Sequence, residues 1–260
     1  MRNLQDEHRP ERIRARLEQP RGESSLGDFV LGGVDGVVTT FAVIAGSAGG
    51  GLSLSTIIIL GLANLVADGF SMAVSNYLGT SSRQQEVARS RADEDWQVAT
   101  HPEGERQEIR EIFARKGFEA ETLDRIVDVI TGDAKVWVDT MVAEELKLSE
   151  VSAHPVRAAL TTFLAFVLFG FIPLLPFLAG IGAGIEGAAG GAAGGFDRMF
   201  AISIGLAAAA FFALGVAKGA VLGLGRLRAG LQTLTVGSLA AVLAYGIGAG
   251  LRALLGAAAG

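Results

Sequence analysis

The chain has no cysteine among its 260 residues, so disulfides, thiolate metal sites and cysteine nucleophiles are excluded. Histidine is scarce too, at three residues. Neither His101 nor His154 follows a glutamate at the third position before it, so the Glu-x-x-His pairs of ferritin-like di-iron sites are missing. Charge is absent from long stretches. Of the 49 charged residues, 11 fall in 1–27 and 27 in 83–150, leaving 11 for the remaining 165 positions. An ordinary soluble domain would show charges every few residues along each helix face. What is present instead is apolar residues, 36 glycines and a mean hydropathy of +0.42.

A bilayer core of about 30 Å takes roughly 20 helical residues. Five stretches are long enough: 29–50, 54–80, 156–181, 198–222 and 231–255. Continuous apolar runs exclude a β-barrel, whose strands are short and alternate. The first run follows a long hydrophilic leader, unlike a cleaved signal peptide with its short charged n-region. The expected fold class is an all-α integral membrane protein of five transmembrane helices, with a helical module between spans 2 and 3. Its divisions are a leader 1–27, spans 1–2 within 28–82, the module 83–150 and spans 3–5 within 151–260. Gly215, Gly219 and Gly223, four apart, suit close helix packing. The glycine runs at 180–184 and 190–195 suit flexible linkers, and Pro173 and Pro176 should bend span 3.

Orientation follows from the bias of Lys and Arg to cytoplasmic connections. The leader holds six arginines, the module ten basic residues, and Lys218, Arg226 and Arg228 lie between spans 4 and 5. The 46–56 connection holds none and 181–198 only Arg198. With five spans the basic segments share one side. Leader and module are therefore expected in the cytoplasm and the C-terminus outside, in a prokaryotic inner membrane.

An acidic side chain in mid-span costs at least about 2.5–3.5 kcal/mol on insertion scales. Asp35 lies within the first span, with Asp28 one heptad earlier on nearly the same face. In span 2, Asn64, Asp68 and Met72 recur at i, i+4 and i+8, and Ser71 and Ser75 widen the stripe. Two readings stand here. In one, these groups hydrogen-bond across helices and fix their packing. In the other they form a cation route, the ion offsetting the desolvation of the carboxylates. The Met72 thioether then favours a borderline transition metal such as Fe(II) over Mg(II) or Ca(II).

The module 83–150 carries 17 acidic against 10 basic residues. The second span should run on as helix to Ala99, since no Pro or Gly interrupts it after Gly79. Thr100 to Glu103 reads as a capping box with an early helical proline. Helices over 102–116, 119–131 and 134–148 should follow, the last capped by Asp133. Glu105, Glu108 and Glu111 recur every three residues and would repel one another without a cation. Met141 and Glu145 are one turn apart, and Glu94 lies near the end of the long helix. A carboxylate–methionine site for a divalent transition metal and a solvated acidic face both fit this pattern.

Four segments together resemble the vacuolar iron transporter family: DFVLGGVDGVVTTFA at 28–42, GLANLVADGFSMA at 61–73, WVDTMVAEEL at 137–146 and GFIPLLP at 170–176. The likeness runs over nearly all of 25–255. It implies no enzyme and no nucleic-acid partner, but a homodimeric exporter moving Fe(II), and often Mn(II), out of the cytoplasm against protons, with a route between the subunits. It implies Asp35 and Met72 as membrane ligands, with Asp28 nearer the entrance. Glu94, Glu105, Glu108, Met141 and Glu145 fall at positions matching the family's module ligands. Three positions depart from the family pattern. Asn64 stands where plant-type members have glutamate, Gln97 where a further glutamate is expected, and Val142 where a second methionine is found. Asn64 cannot release a proton, so either Asp68 takes that part or the coupling differs. Membrane-anchored iron storage or oxidation, and a structural membrane protein that docks a partner, are the rival functions.

Overall fold

The computed structural model describes residues 6, 8–18, 25–148, 154–182 and 194–258. In chain order the helices are α1 (Pro10–Glu18), α2 (Leu26–Gly49), α3 (Leu54–Thr100), α4 (Pro102–Arg115), α5 (Ala120–Thr131) and α6 (Ala134–Glu144). There follow α7 (Pro155–Phe171), a 3₁₀ turn Ile172–Leu174, α8 (Leu175–Gly182), α9 (Gly195–Val221) and α10 (Arg226–Ala258). The chain divides into a polar unit, 1–23 with 78–154, and a membrane unit, 24–77 with 155–260. Among the described residues five helices are long and apolar enough to cross a bilayer. The sequence places all five, but spans 4 and 5 begin earlier than expected, at Gly195 and Arg226. Most of the glycine run 190–195, and parts of the leader, lie outside the described residues.

Helix α3 has 47 residues, about 70 Å of helix, more than twice a bilayer core of about 30 Å. Only its apolar part, 54–80, has the composition of a span.

In the membrane unit, α2 packs against α7, α9 and α10. Gly32 and Gly36 lie one turn apart on α2, and a Cβ on either would overlap the carbonyl oxygen of Thr162 or Phe166 on α7. The two backbones therefore touch, as small residues allow in membrane helices. Val37, Ile44, Phe166, Phe177 and Leu214 close the core around them. The prolines of span 3 interrupt the α-helix with the 3₁₀ turn. There the Ser203 hydroxyl donates to the Pro173 carbonyl at 2.7 Å, so a polar group freed by the break is satisfied without water. Gly215 and Gly219 do allow α9 and α10 to approach closely. Gly223 does not. It takes a left-handed φ of +67° with open space around it and makes the turn into α10.

In the polar unit, Ile109, Val127, Ile130, Trp137 and Met141 form an apolar core. Arg106–Asp128 and Arg110–Asp124 ion pairs join α4 to α5. Asp133 caps α6 as expected, its Oδ1 accepting from the backbone N–H groups of Lys135 and Val136. Two expectations fail. Thr100 is no capping residue, because α3 runs through it and its hydroxyl turns back to donate to Trp96 O at 2.7 Å. His101 alone separates α3 from α4, with Pro102 as the first residue of α4. Helix α6 ends at Glu144 rather than 148, where the amides of Leu146 and Leu148 fold back onto Met141 and Val142 carbonyls and Lys147 takes φ +56°.

Candidate metal sites

The membrane unit holds the first group of candidates. Asp35 is half-buried on α2. Its backbone carbonyl accepts the Thr39 hydroxyl at 2.9 Å, but among the described residues its carboxylate has no hydrogen bond or ion pair. Asp68 on α3 stands close enough to repel its charge. The structure thus brings these two acids, from α2 and α3, near each other. One turn before Asp68, Asn64 has a buried Nδ2 without a partner. One turn after it, Met72 is half-buried and packs against the apolar core of the unit.

Asp28 differs from Asp35. Its Oδ1 accepts a hydrogen bond from Asn76 Nδ2 at 2.8 Å, and the same nitrogen donates to the Thr162 hydroxyl at 2.7 Å. Neither Asn76 nor Thr162 figured among the expected residues. The signal for Asn76 was available, since it continues the stripe of Asn64, Asp68 and Met72 by one more turn. Thr162 is the α7 residue against which Gly32 packs, so close backbone approach brings its hydroxyl within reach.

The polar unit holds the second group. Glu94 on α3 and Glu105 on α4 are 3% and 5% exposed, and among the described residues each has an Oε2 with no hydrogen-bond partner. Burial pushes the Glu94 carboxyl up to about 7, and the charges of Glu145, Glu105, Glu108 and Asp93 add to this. Glu105 is raised by burial and then by Glu108 and Glu145, and Glu145 by burial and then by Glu108. Four of the expected ligands therefore form one mutually repelling cluster, Glu94, Glu105, Glu108 and Glu145. Glu111 is not among them. It lies exposed and accepts from Gln107 Nε2 at 3.2 Å. Met141 is wholly buried in the apolar core beside Trp137, and Val142 is buried as well.

Gln97 does not add a charge, but its Nε2 donates to Glu94 Oε1 at 3.5 Å. Neighbouring acids with basic partners behave oppositely. Asp139 is pulled up by burial, but hydrogen bonds from Arg91 and Lys135 and their charges bring it below its ordinary value. Among the described residues no three Asp, Glu or His side chains converge tightly enough to enclose an ion. The orphaned oxygens of Glu94 and Glu105 nonetheless fit a cation or a proton, since a buried unpaired carboxylate is costly.

Comparison with known sequences places these residues in a family. A profile described as the VIT family matches residues 26–249, which includes both groups of acids. The vacuolar iron transporter of Toxoplasma gondii is 33% identical over 234 residues, covering 88% of this chain and 74% of that protein. Vacuolar iron transporter 1 of Arabidopsis thaliana is 31% identical over 219 residues, covering 84% and 82%. Vacuolar iron transporter 1 of Oryza sativa is 29% identical over 221 residues, covering 85% and 82%. These relatives are eukaryotic and named for the vacuole, which overturns the expectation of a prokaryotic inner membrane. Basic connections tell one face of a bilayer from the other and say nothing of which membrane it is. A chain matched over both its halves and its central unit, with relatives this similar over most of its length, belongs to the VIT family.

Proposed function

We propose that this protein transports divalent iron, and Mn(II) with it, out of the cytoplasm in exchange for protons, and that it does so as a homodimer. One observation carries the reading. Asp35 lies on a helix long and apolar enough to cross a bilayer, its carboxylate has no partner among the described residues, and a second acid, Asp68, is near it, an arrangement costly to insert unless a cation or a proton occupies it. The relatives named as iron transporters support the same cargo.

In this mechanism Glu94, Glu105, Glu108 and Glu145 gather the ion, with Met141 as the sulfur ligand that the family resemblance implies. Asp28 receives it, and Asp35, Asp68 and Met72 hold it within the span. Carboxylates must be deprotonated to bind a metal, so proton binding on the far side releases it. Asn64 is an amide and does not titrate, which leaves Asp68 as the proton-carrying group in the apolar part of α3.

The test is reconstitution of the full chain into liposomes with an imposed pH gradient, measuring Fe(II) and Mn(II) flux separately. Wild type should move both ions with coupled proton movement, and Asp35→Asn should stop flux while remaining folded in the membrane. Undiminished flux in Asp35→Asn removes that residue from the route. An absence of flux in wild type removes the reading altogether.

A further inference from the structure

Three spans meet at one side chain. Asn76 on α3 donates through Nδ2 to Asp28 Oδ1 on α2 at 2.8 Å and to Thr162 Oγ1 on α7 at 2.7 Å. We infer that Asn76, anchored by Thr162, is a positioning residue for metal entry, holding the Asp28 carboxylate in the one orientation that receives the ion. The inference rests on the transport reading given above.

The chemistry of the donor is the reason. A lysine or arginine in this place would orient Asp28 equally well, but its charge would cancel the attraction of the carboxylate for a cation and repel the ion itself. An amide supplies a directed hydrogen bond without a charge of its own. It occupies Oδ1 and leaves Oδ2 for the ion.

The anchor is rigid. Thr162 is wholly buried, and the overlap that a Cβ at Gly32 would have with its carbonyl oxygen shows how closely α2 and α7 meet there. Asn76 is therefore held from α7 while it holds a residue of α2. Its place on α3, one turn beyond Met72 on the stripe of Asn64 and Asp68, puts it at the end of the proposed route where Asp28 lies. A simple packing role would need no acid among its partners. Here the acceptor is a carboxylate of the route itself.

The experiment uses the full chain in proteoliposomes with Mn(II) as the probe. Asn76→Ala should raise the half-saturating Mn(II) concentration about tenfold, as expected for loss of a hydrogen bond to a charged group, and leave the maximal rate within about twofold. Thr162→Val should raise it less, about threefold, since the bond to Asp28 remains and only its anchor is lost. The double variant should be no worse than Asn76→Ala alone, because the two residues act as one unit. Unchanged half-saturation in both single variants overturns the inference, as does a fall in maximal rate that only tracks a lower melting temperature. Multiplying effects in the double variant overturn it as well. Failure of the transport reading looks different, because wild type itself would then show no Mn(II) or Fe(II) flux. Full-speed transport by Asp28→Asn, with flux still lost in Asp35→Asn, overturns this inference and leaves the Asp35 route standing.

Discussion

Glu94 on α3 and Glu105 on α4 repel each other from different helices, and among the described residues each has an Oε2 buried without a hydrogen-bond partner. Native proteins rarely leave buried polar atoms unpaired, and here two such carboxylates belong to one mutually repelling cluster. A few residues away the acids Asp124, Asp128, Asp139 and Glu144 all have basic partners. The polar unit thus holds acids with basic partners beside acids that face only other acids. A similar contrast recurs in the membrane unit, where Asp28 accepts from Asn76 and the Asp35 carboxylate has no partner among the described residues.

Glu94 makes the stability of the metal-free protein depend on pH. Its folded-state value of about 7 lies above its ordinary value of 4.5, so the folded form holds its proton more tightly than the unfolded form does. The stabilisation is complete below pH 4.5, falls as pH rises through the interval, and is gone above about 7, a loss of about 3 kcal/mol at most. Melting of the full chain in detergent with a chelator should show this decline. Glu94→Gln should flatten it and raise the melting temperature at pH 8. A profile that rises from pH 5 to 7 in wild type contradicts the assignment.

Metal should act in the opposite sense to the proton. Mn(II) binding to the cluster displaces the proton on Glu94, so affinity should increase from pH 5 to 7.5 and calorimetry should detect proton release that varies with buffer. An Asp35→Asn background lowers the membrane contribution, so that binding reads chiefly the polar unit of the intact protein. There Glu105→Ala with Glu108→Ala should weaken Mn(II) binding by more than about tenfold, since even outer partners of metal ligands are worth 10–100-fold. Unchanged affinity returns both glutamates to a solvated acidic face.

Much of this molecule is legible in its apolar runs, because a continuous stretch long enough to span has few alternatives. What the runs do not reveal is where helices stop. Thr100 has the residue type of a cap, yet α3 continues through it because nothing before Pro102 breaks the helix. Grouping Glu111 with Glu105 and Glu108 fails for a geometric reason. Six residues turn a helix by about 240° from the starting face, and Glu105 is the one that faces inward. Asn76 escapes notice because its partners are 48 and 86 residues away. Its meaning depends on which face of α7 meets α2, a tertiary fact. The four-residue stripe alone only marks it as a candidate. Met141, which the resemblance implies as a ligand, is also part of the buried core of the polar unit, a placement that its sequence position does not reveal.

The contact of α2 with α7 that places Asp28, Asn76 and Thr162 together depends on Gly36 as well as Gly32, and Gly36 can be tested alone. A Cβ there would overlap the Phe166 carbonyl oxygen, which belongs to backbone and cannot rotate away. Gly36→Ala should therefore force the helices apart, at the roughly 1–3 kcal/mol typical of overpacking, and lower the yield of folded protein along with flux. Gly104, inside α4 with open space where a Cβ would sit, is the control. Gly104→Ala should stabilise by about 0.5–1 kcal/mol, because alanine loses less backbone entropy in a helix. The two substitutions add the same methyl group, so opposite shifts in melting temperature would show that contact between α2 and α7, and not helix propensity, decides the outcome at Gly36. Equal shifts would show that the two backbones do not touch at that level, and the geometry of the Asn76 cluster would have to be drawn again.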